Sequence, residues 1–301
     1  MPLEVSRSAR RPPLITDAQV HIYAPDTPDH PWPRQPGRGS APWTHPDGFS
    51  AEEMLGAMEA VGVDRAVIVP PVWAGEDNSA ALSAAARYPG RFAVMGRFDP
   101  YAPDAPDRLE HWLEQPSMIG IRMSGRWNTV ATPAREALGD PAIEWYWTAC
   151  ERLGIPVAVL AGDAVSLLEP VAARHPDLRL IIDHSGMRGA HSLEEAFDTI
   201  DALRALAKHP NVCMKMGSIP QASAEPYPFA DTHPFIERIF HAFGARRMLW
   251  ESDFTQLGYR RYADCLRMWI EDVPFINEDD REWILGRAAA EVLNWPEPRL
   301  R

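Results

Sequence analysis

The 301-residue chain is 46% hydrophobic, enough to bury a large core and to build one α/β barrel. Its formal charge of −12 turns the surface against nucleic acid and anionic membranes as partners, although a local basic pocket for a small anion stays compatible with it. Cys150, Cys213 and Cys265 lack Cys-x-x-Cys spacing, which argues against a disulfide framework or a zinc ribbon.

The opening "MPLEVSRSARRPPL" has basic residues but no apolar centre, so it does not read as a secretory signal. No apolar run approaches the ~20 residues of a membrane span. A cytoplasmic location is the expectation. From there, short apolar runs alternate with amphipathic stretches. The predicted strands are "LITDAQVHIY", "RAVIVPP", "RFAVMGRF", "MIGIRM", "IPVAVL", "LRLIIDH", "NVCMKMG" and "RMLWESD". Helical spacing falls between them, as in "SAEEMLGAMEAVG" and "DPAIEWYWTACERLG", and "SLEEAFDTIDALRALAKHP" reads as one long helix. Eight strands each followed by helix predict a single (β/α)8 TIM barrel spanning the chain, with its core over about residues 15–295. No Gly-x-Gly-x-x-Gly turn follows the first strand, which disfavours a doubly wound dinucleotide fold.

Residues 24–48 interrupt the rhythm with a Pro- and Gly-rich segment carrying Trp32, Arg34, Arg38 and Trp43. It leaves from the end of the first strand, where a barrel keeps its chemistry, and reads as a lid that brings Trp43 towards substrate. The carboxyl ends of the strands are unusually polar. Alternation in "DAQVHIY" places Asp17, Gln19 and His21 on one face. Arg122 ends the fourth strand, Asp183 and His184 the sixth, Lys215 the seventh, and Glu251 and Asp253 the eighth, whereas the fifth ends in Leu160. Each has a plain structural reading: a satisfied buried histidine, an aspartate capping a turn, a lysine paired with a carboxylate. The remaining histidines stand before prolines at helix ends, in helices, or, like His233, in loops.

Taken in order, "DAQVHIY", "GIRM", "LIIDHSG", "NVCMKMG" and "WESDFTQ" resemble the landmarks of the amidohydrolase superfamily in its amidohydrolase-2 branch, over nearly the whole chain. The resemblance is strongest to lactonases acting on sugar-acid lactones and 2-pyrone-4,6-dicarboxylate. It implies that the family's first-strand histidine pair falls on Gln19 and His21, its strand-six histidine on His184 and its strand-eight aspartate on Asp253. Its strand-five histidine falls on Leu160 and is absent.

His21, His184 and Asp253 could together ligate one divalent metal, zinc or manganese, but a neutral glutamine amide is a poor fourth ligand. The expectation is therefore a site without metal or with a weakened one. Lactone opening by water activated at Asp253 is expected, with His21 and His184 polarising the carbonyl. Gln19, Arg122 and Lys215 would hold a small carboxylate-bearing substrate. A metal-dependent decarboxylase or C–C hydrolase, an amide or cyclic imide hydrolase, and a non-catalytic binding barrel stay open, as does homo-oligomer formation.

Overall fold

The computed structural model describes residues 14–28, 47–124, 134–187, 192–258 and 260–296. Eight strands run in sequence order around one sheet, all neighbours parallel. They are β1 (Thr16–Val20), β2 (Arg65–Ile68), β3 (Phe92–Gly96), β4 (Met118–Ser124), β5 (Val157–Leu160), β6 (Leu180–Ile182), β7 (Val212–Lys215) and β8 (Met248–Leu249). The amide of Ala18 bonds the carbonyl of Trp250 at 2.9 Å and that of Asp253 bonds the carbonyl of Gln19 at 3.2 Å, which brings β8 back to β1. The expected (β/α)8 barrel is present.

The strands are apolar on both faces because both are covered. Val94, Ile121, Val159 and Met214 pack outward against the helices. Val67, Met95, Ala158, Ile181, Cys213 and Leu249 face one another inside, with Ala18. The last helical segment, Ala288–Val292, adds Ala288, Ala289 and Val292 to this inner cluster and closes the amino-terminal end of the barrel. Arg65 ties that end down: its Nη1 donates to the Trp295 carbonyl at 2.8 Å, and its guanidinium stacks 4.4 Å over the Trp295 ring. At the same end a Cβ on Gly286 would come within 2.0 Å of the Leu14 carbonyl oxygen. Gly286→Ala is accordingly expected to cost about 1–3 kcal/mol. A chemical-denaturation midpoint equal to wild type would show that the chain at Leu14 yields instead.

Local signals start and stop the helices as chemistry requires. Ser50 and Glu53 form a capping box at Ala51–Val61, and Gly62, with φ of 81°, ends it. The stretch read as one long helix after residue 192 divides into Leu193–Asp198 and Ile200–Leu206. Between them the Thr199 hydroxyl donates to the Ala196 carbonyl at 2.8 Å, a side-chain bond that competes with helix continuation. His233 opens the helix His233–Phe243 rather than lying in a loop, with a proline next to it in the first turn.

The first strand corrects a second expectation. Its pairing with β2 shifts register between Asp17 and Val20, and this bulge puts Asp17 and Gln19 on opposite sides of the sheet. Asp17 faces out towards the helices, where its carboxylate accepts from Ser252 N at 2.9 Å, Ser252 Oγ at 2.5 Å and Tyr262 Oη at 2.8 Å. Gln19 and His21 face in. Of the lid read over 24–48, residues 29–46, including Trp43, lie outside the described residues. The described ends of that segment meet, since Tyr23 and Phe49 exchange backbone bonds of 3.0 and 2.8 Å.

Candidate active site at the carboxyl end of the barrel

Directly above the apolar inner cluster, the next inward-facing positions are charged. Arg97 follows β3, and because Gly96 pairs with Ile121 it stands beside Arg122 on β4. Asp183 follows β6, Lys215 ends β7 and Glu251 follows β8, and all five of these side chains are buried. Charges at this depth persist only when paired. Arg122 Nε donates to Asp183 Oδ2 at 2.8 Å, and Lys215 Nζ lies 3.0 Å from Asp183 Oδ1 and 3.9 Å from Glu251 Oε2. Burial would raise the Asp183 pKa, but Lys215, Arg122 and His184 together hold it below the usual carboxylate range. Asp183 is thus an anchor for two cations and not a turn cap. Arg97 bonds the Gly75 carbonyl through Nε and the Ser124 hydroxyl through Nη1. Burial, reinforced by the neighbouring Arg122 charge, lowers its pKa to about 9.

The rim of the site carries Gln19, His21, His184 and Asp253. His184 and Asp253 have φ of 53°, and Ser185 and Ser218 have φ of 54° and 60°. Left-handed backbone at non-glycine residues is uncommon and is concentrated here at the ends of β6, β7 and β8. These turns redirect the side chains across the barrel mouth.

Donor and acceptor chemistry orients the Gln19 amide. Lys215 Nζ can only donate, so the atom 2.8 Å from it must be Gln19 Oε1. The amide NH2 then points at His184 Nε2, 3.1 Å away, and this ring nitrogen must accept. The His184 proton resides on Nδ1, which lies 2.9 Å from Glu251 Oε1. Glu251 Oε1 also accepts from the His184 backbone amide at 3.1 Å. Its seat exists because residue 217 is glycine: a Cβ there would fall 2.0 Å from Oε1. Burial disfavours a charged His184, yet Glu251, then Asp253 and Asp183, raise its pKa to about 9. A second ring proton would confront the Gln19 NH2 with another donor, so the carboxylates and Gln19 pull the ring in opposite directions.

His21 is fixed by its other nitrogen. Nδ1 donates to the Val69 carbonyl at 2.6 Å, which aims Nε2 at Asp253 Oδ1, 3.1 Å away. That 3.1 Å contact is within ion-pair range, and Oδ1 has no other partner among the described residues. Burial alone would raise the Asp253 pKa; the His21 contact and the charges of His184, His21 and Arg122 outweigh it and hold the carboxyl ionised. The site therefore contains a buried carboxylate whose Oδ1 faces His21.

A profile of the amidohydrolase family, in its amidohydrolase-2 branch, matches residues 16–295. The chain belongs to the amidohydrolase family. This amidohydrolase is 28% identical to an L-fucono-1,5-lactonase from Burkholderia ambifaria over 79% of the chain and 79% of that protein. It is 26% identical to a 4-sulfomuconolactone hydrolase from Hydrogenophaga intermedia, covering 82% and 77% of the two chains. In fold it is similar to an amidohydrolase from Burkholderia multivorans solved with bound zinc, with a TM-score of 0.78, 21% identity and coverage of 94% and 100%.

Whether this amidohydrolase could hold zinc as that structure does is decided by its own donors. Gln19 presents NH2 where a ligand lone pair would be needed, His184 Nε2 is occupied by that NH2, and the Lys215 ammonium stands behind both. Among the described residues no group of three or more His, Cys, Asp or Glu side chains is arranged to hold a metal. Leu160 ends β5 with an apolar side chain. The residues do not fit a divalent metal. No described helix of the amidohydrolase is long and apolar enough to cross a membrane.

Sequence reasoning omitted Arg97 and placed Glu251 only among the polar strand ends. Arg97 was findable, since it stands two residues after inward-facing Met95, in the phase that Arg122 occupies on the next strand. Gly217 resembled an ordinary strand stop. Its service to Glu251 had no signal in the sequence. Asp17 was grouped with the wrong face, and its environment has a measurable consequence. Burial outweighs its four hydroxyl and amide donors, from Ser252, Tyr262 and Gln19, and raises its pKa from 3.8 to about 7. A raised folded-state pKa contributes stability at low pH that disappears on ionisation, so stability should fall by about 3 kcal/mol between pH 4 and pH 7 from this group. Asp17→Asn should flatten that slope in denaturation at pH 5 and pH 8; an unchanged slope would place the titration elsewhere.

Proposed function

We propose that this amidohydrolase opens the ring of a small lactone bearing an acidic group, with Asp253 as general base and without a metal. The observation that carries the reading is the ionised, buried Asp253 carboxylate at the barrel mouth, with His21 Nε2 beside its Oδ1. Both curated relatives described above are named for lactones, which supports the reaction class.

Asp253 Oδ1 accepts a proton from water as the water oxygen bonds to the lactone carbonyl carbon, and the carbonyl π pair moves to oxygen. That oxyanion is stabilised by the charge of the neighbouring Arg122 guanidinium. When the tetrahedral centre collapses, the ring C–O bond breaks and the departing oxygen takes the proton back from Asp253. Atoms and charge balance: one water is added and a hydroxy acid leaves. His184 has its proton on Nδ1 and its Nε2 engaged by Gln19, so it shapes the field around Asp253 instead of donating to the carbonyl. Lys215, expected as a substrate-anion holder, is fully buried and committed to Gln19 and Asp183. Arg122 shares its Nε with Asp183. With Arg97 adjacent, two guanidinium groups side by side favour a substrate carrying a carboxylate or sulfonate over a neutral sugar lactone.

The experiment is a substrate panel comparing neutral aldonolactones with carboxylated and sulfonated butenolides. The expected result is a kcat/KM at least about 100-fold higher for the acidic lactones, the equivalent of one good charged contact. Turnover of neutral lactones alone would remove the anionic-substrate reading, and no ring opening across the panel would remove lactone hydrolysis itself.

A further inference from the structure

We propose that Lys215, acting through Gln19, closes the barrel mouth to a divalent metal and supplies in its place the fixed positive charge of the site. The inference rests on the metal-free reading above and explains how the chain enforces it. Three adjacent observations carry it. Lys215 Nζ is buried and bonded to Gln19 Oε1 at 2.8 Å, so the amide cannot turn its oxygen towards His184 without leaving an ammonium hydrogen unpaired. The NH2 thereby held outward lies 3.1 Å from His184 Nε2 and occupies the lone pair that a metal would take. The ammonium itself is anchored by Asp183 Oδ1 at 3.0 Å and sits 3.9 Å from Glu251 Oε2. It is a resident cation in a low-dielectric setting, and a second cation of charge +2 nearby would be repelled strongly.

The arrangement also makes chemical sense as a substitute. A bound metal gives a site positive charge that depends on ligand occupancy and pH. Lys215 gives a charge that is part of the chain itself, anchored by Asp183. Gln19 passes its polarisation on to His184, with Oε1 receiving from the ammonium and the NH2 donating onward. Gln19 and Lys215 are positioning residues here, since neither needs to touch substrate.

The test is calorimetric titration of zinc chloride into wild-type protein, Gln19→Glu and Lys215→Met, independent of any turnover. In Gln19→Glu the new carboxylate still pairs with Lys215, so the barrel keeps its charge partners. Its second oxygen, however, replaces the NH2 donor that faced His184 Nε2, so an anionic oxygen and an imidazole nitrogen converge on one point. Wild type should bind zinc no tighter than about millimolar, and Gln19→Glu at least ~100-fold tighter, as expected when a donor cap is exchanged for an anionic ligand. The double variant Gln19→Glu, His184→Ala should return to the wild-type value. Lys215→Met, where it folds, should also gain zinc. Tight stoichiometric zinc binding by wild type overturns the proposal. So does a folded Gln19→Glu that binds no better, or one whose affinity survives loss of His184. A failed lactone panel would leave these titrations untouched, and a failed titration would leave the panel untouched.

Discussion

Asp253→Asn is expected to lower kcat/KM for lactone opening by about 10²–10⁴-fold, the usual contribution of a positioned general base. Asparagine is the informative replacement because Asp253 sits at φ of 53°, a left-handed conformation that asparagine adopts more readily than alanine. The side chain keeps its shape and its approach to His21, while the amide cannot accept a proton from water. The fold should therefore survive, and circular dichroism and denaturation midpoint should match wild type to within about 1 kcal/mol. Substrate binding should change little, so the loss should appear in kcat and not in KM. A variant retaining more than a tenth of wild-type kcat would assign the proton transfer to another group.

Lys215→Met is expected to have the largest effect on stability, about 3–5 kcal/mol. The ammonium is fully buried, and removing it leaves Asp183 with Arg122 as its remaining close cation and Glu251 without its nearest lysine. The deficit comes from uncompensated carboxylates and not from lost packing, since methionine fills similar volume. Lys215→Met combined with Asp183→Asn should for that reason cost less than the sum of the two single changes. Urea denaturation of the four proteins gives the cycle, and strict additivity would show that Lys215 and Asp183 do not act together.

Barrel architecture was legible in the chain because its causes are local and repeated. Buried parallel strands are written as apolar runs, and helices between them carry caps such as Ser50 with Glu53. The polar strand ends were legible for the same reason: Arg122, Lys215 and Asp253 interrupt apolar runs where a core needs none. What could not be read were relations between distant residues. The bulge that separates Asp17 from Gln19 depends on how β1 meets β2, and two-residue alternation hides it. The direction of the Gln19 amide depends on Lys215, 196 residues away. Lys215 was read both as an anion holder and as the partner of some carboxylate, and that this carboxylate is Asp183, shared with Arg122, depends on how β4, β6 and β7 meet. Trp43 and the remainder of the lid expectation fall outside the described residues.

The account turns on an Asp253 carboxylate working without a metal, and a pH–rate profile on chelator-stripped protein tests that most directly. Asp253 is held ionised below its ordinary range, so protonation should extinguish activity only below about pH 3.8. With an acidic lactone as substrate, stripped protein should retain its full kcat/KM and show no acid limb between about pH 5 and pH 7. Activity lost on stripping and restored by zinc, or an acid limb near pH 6 to 7, would contradict the account.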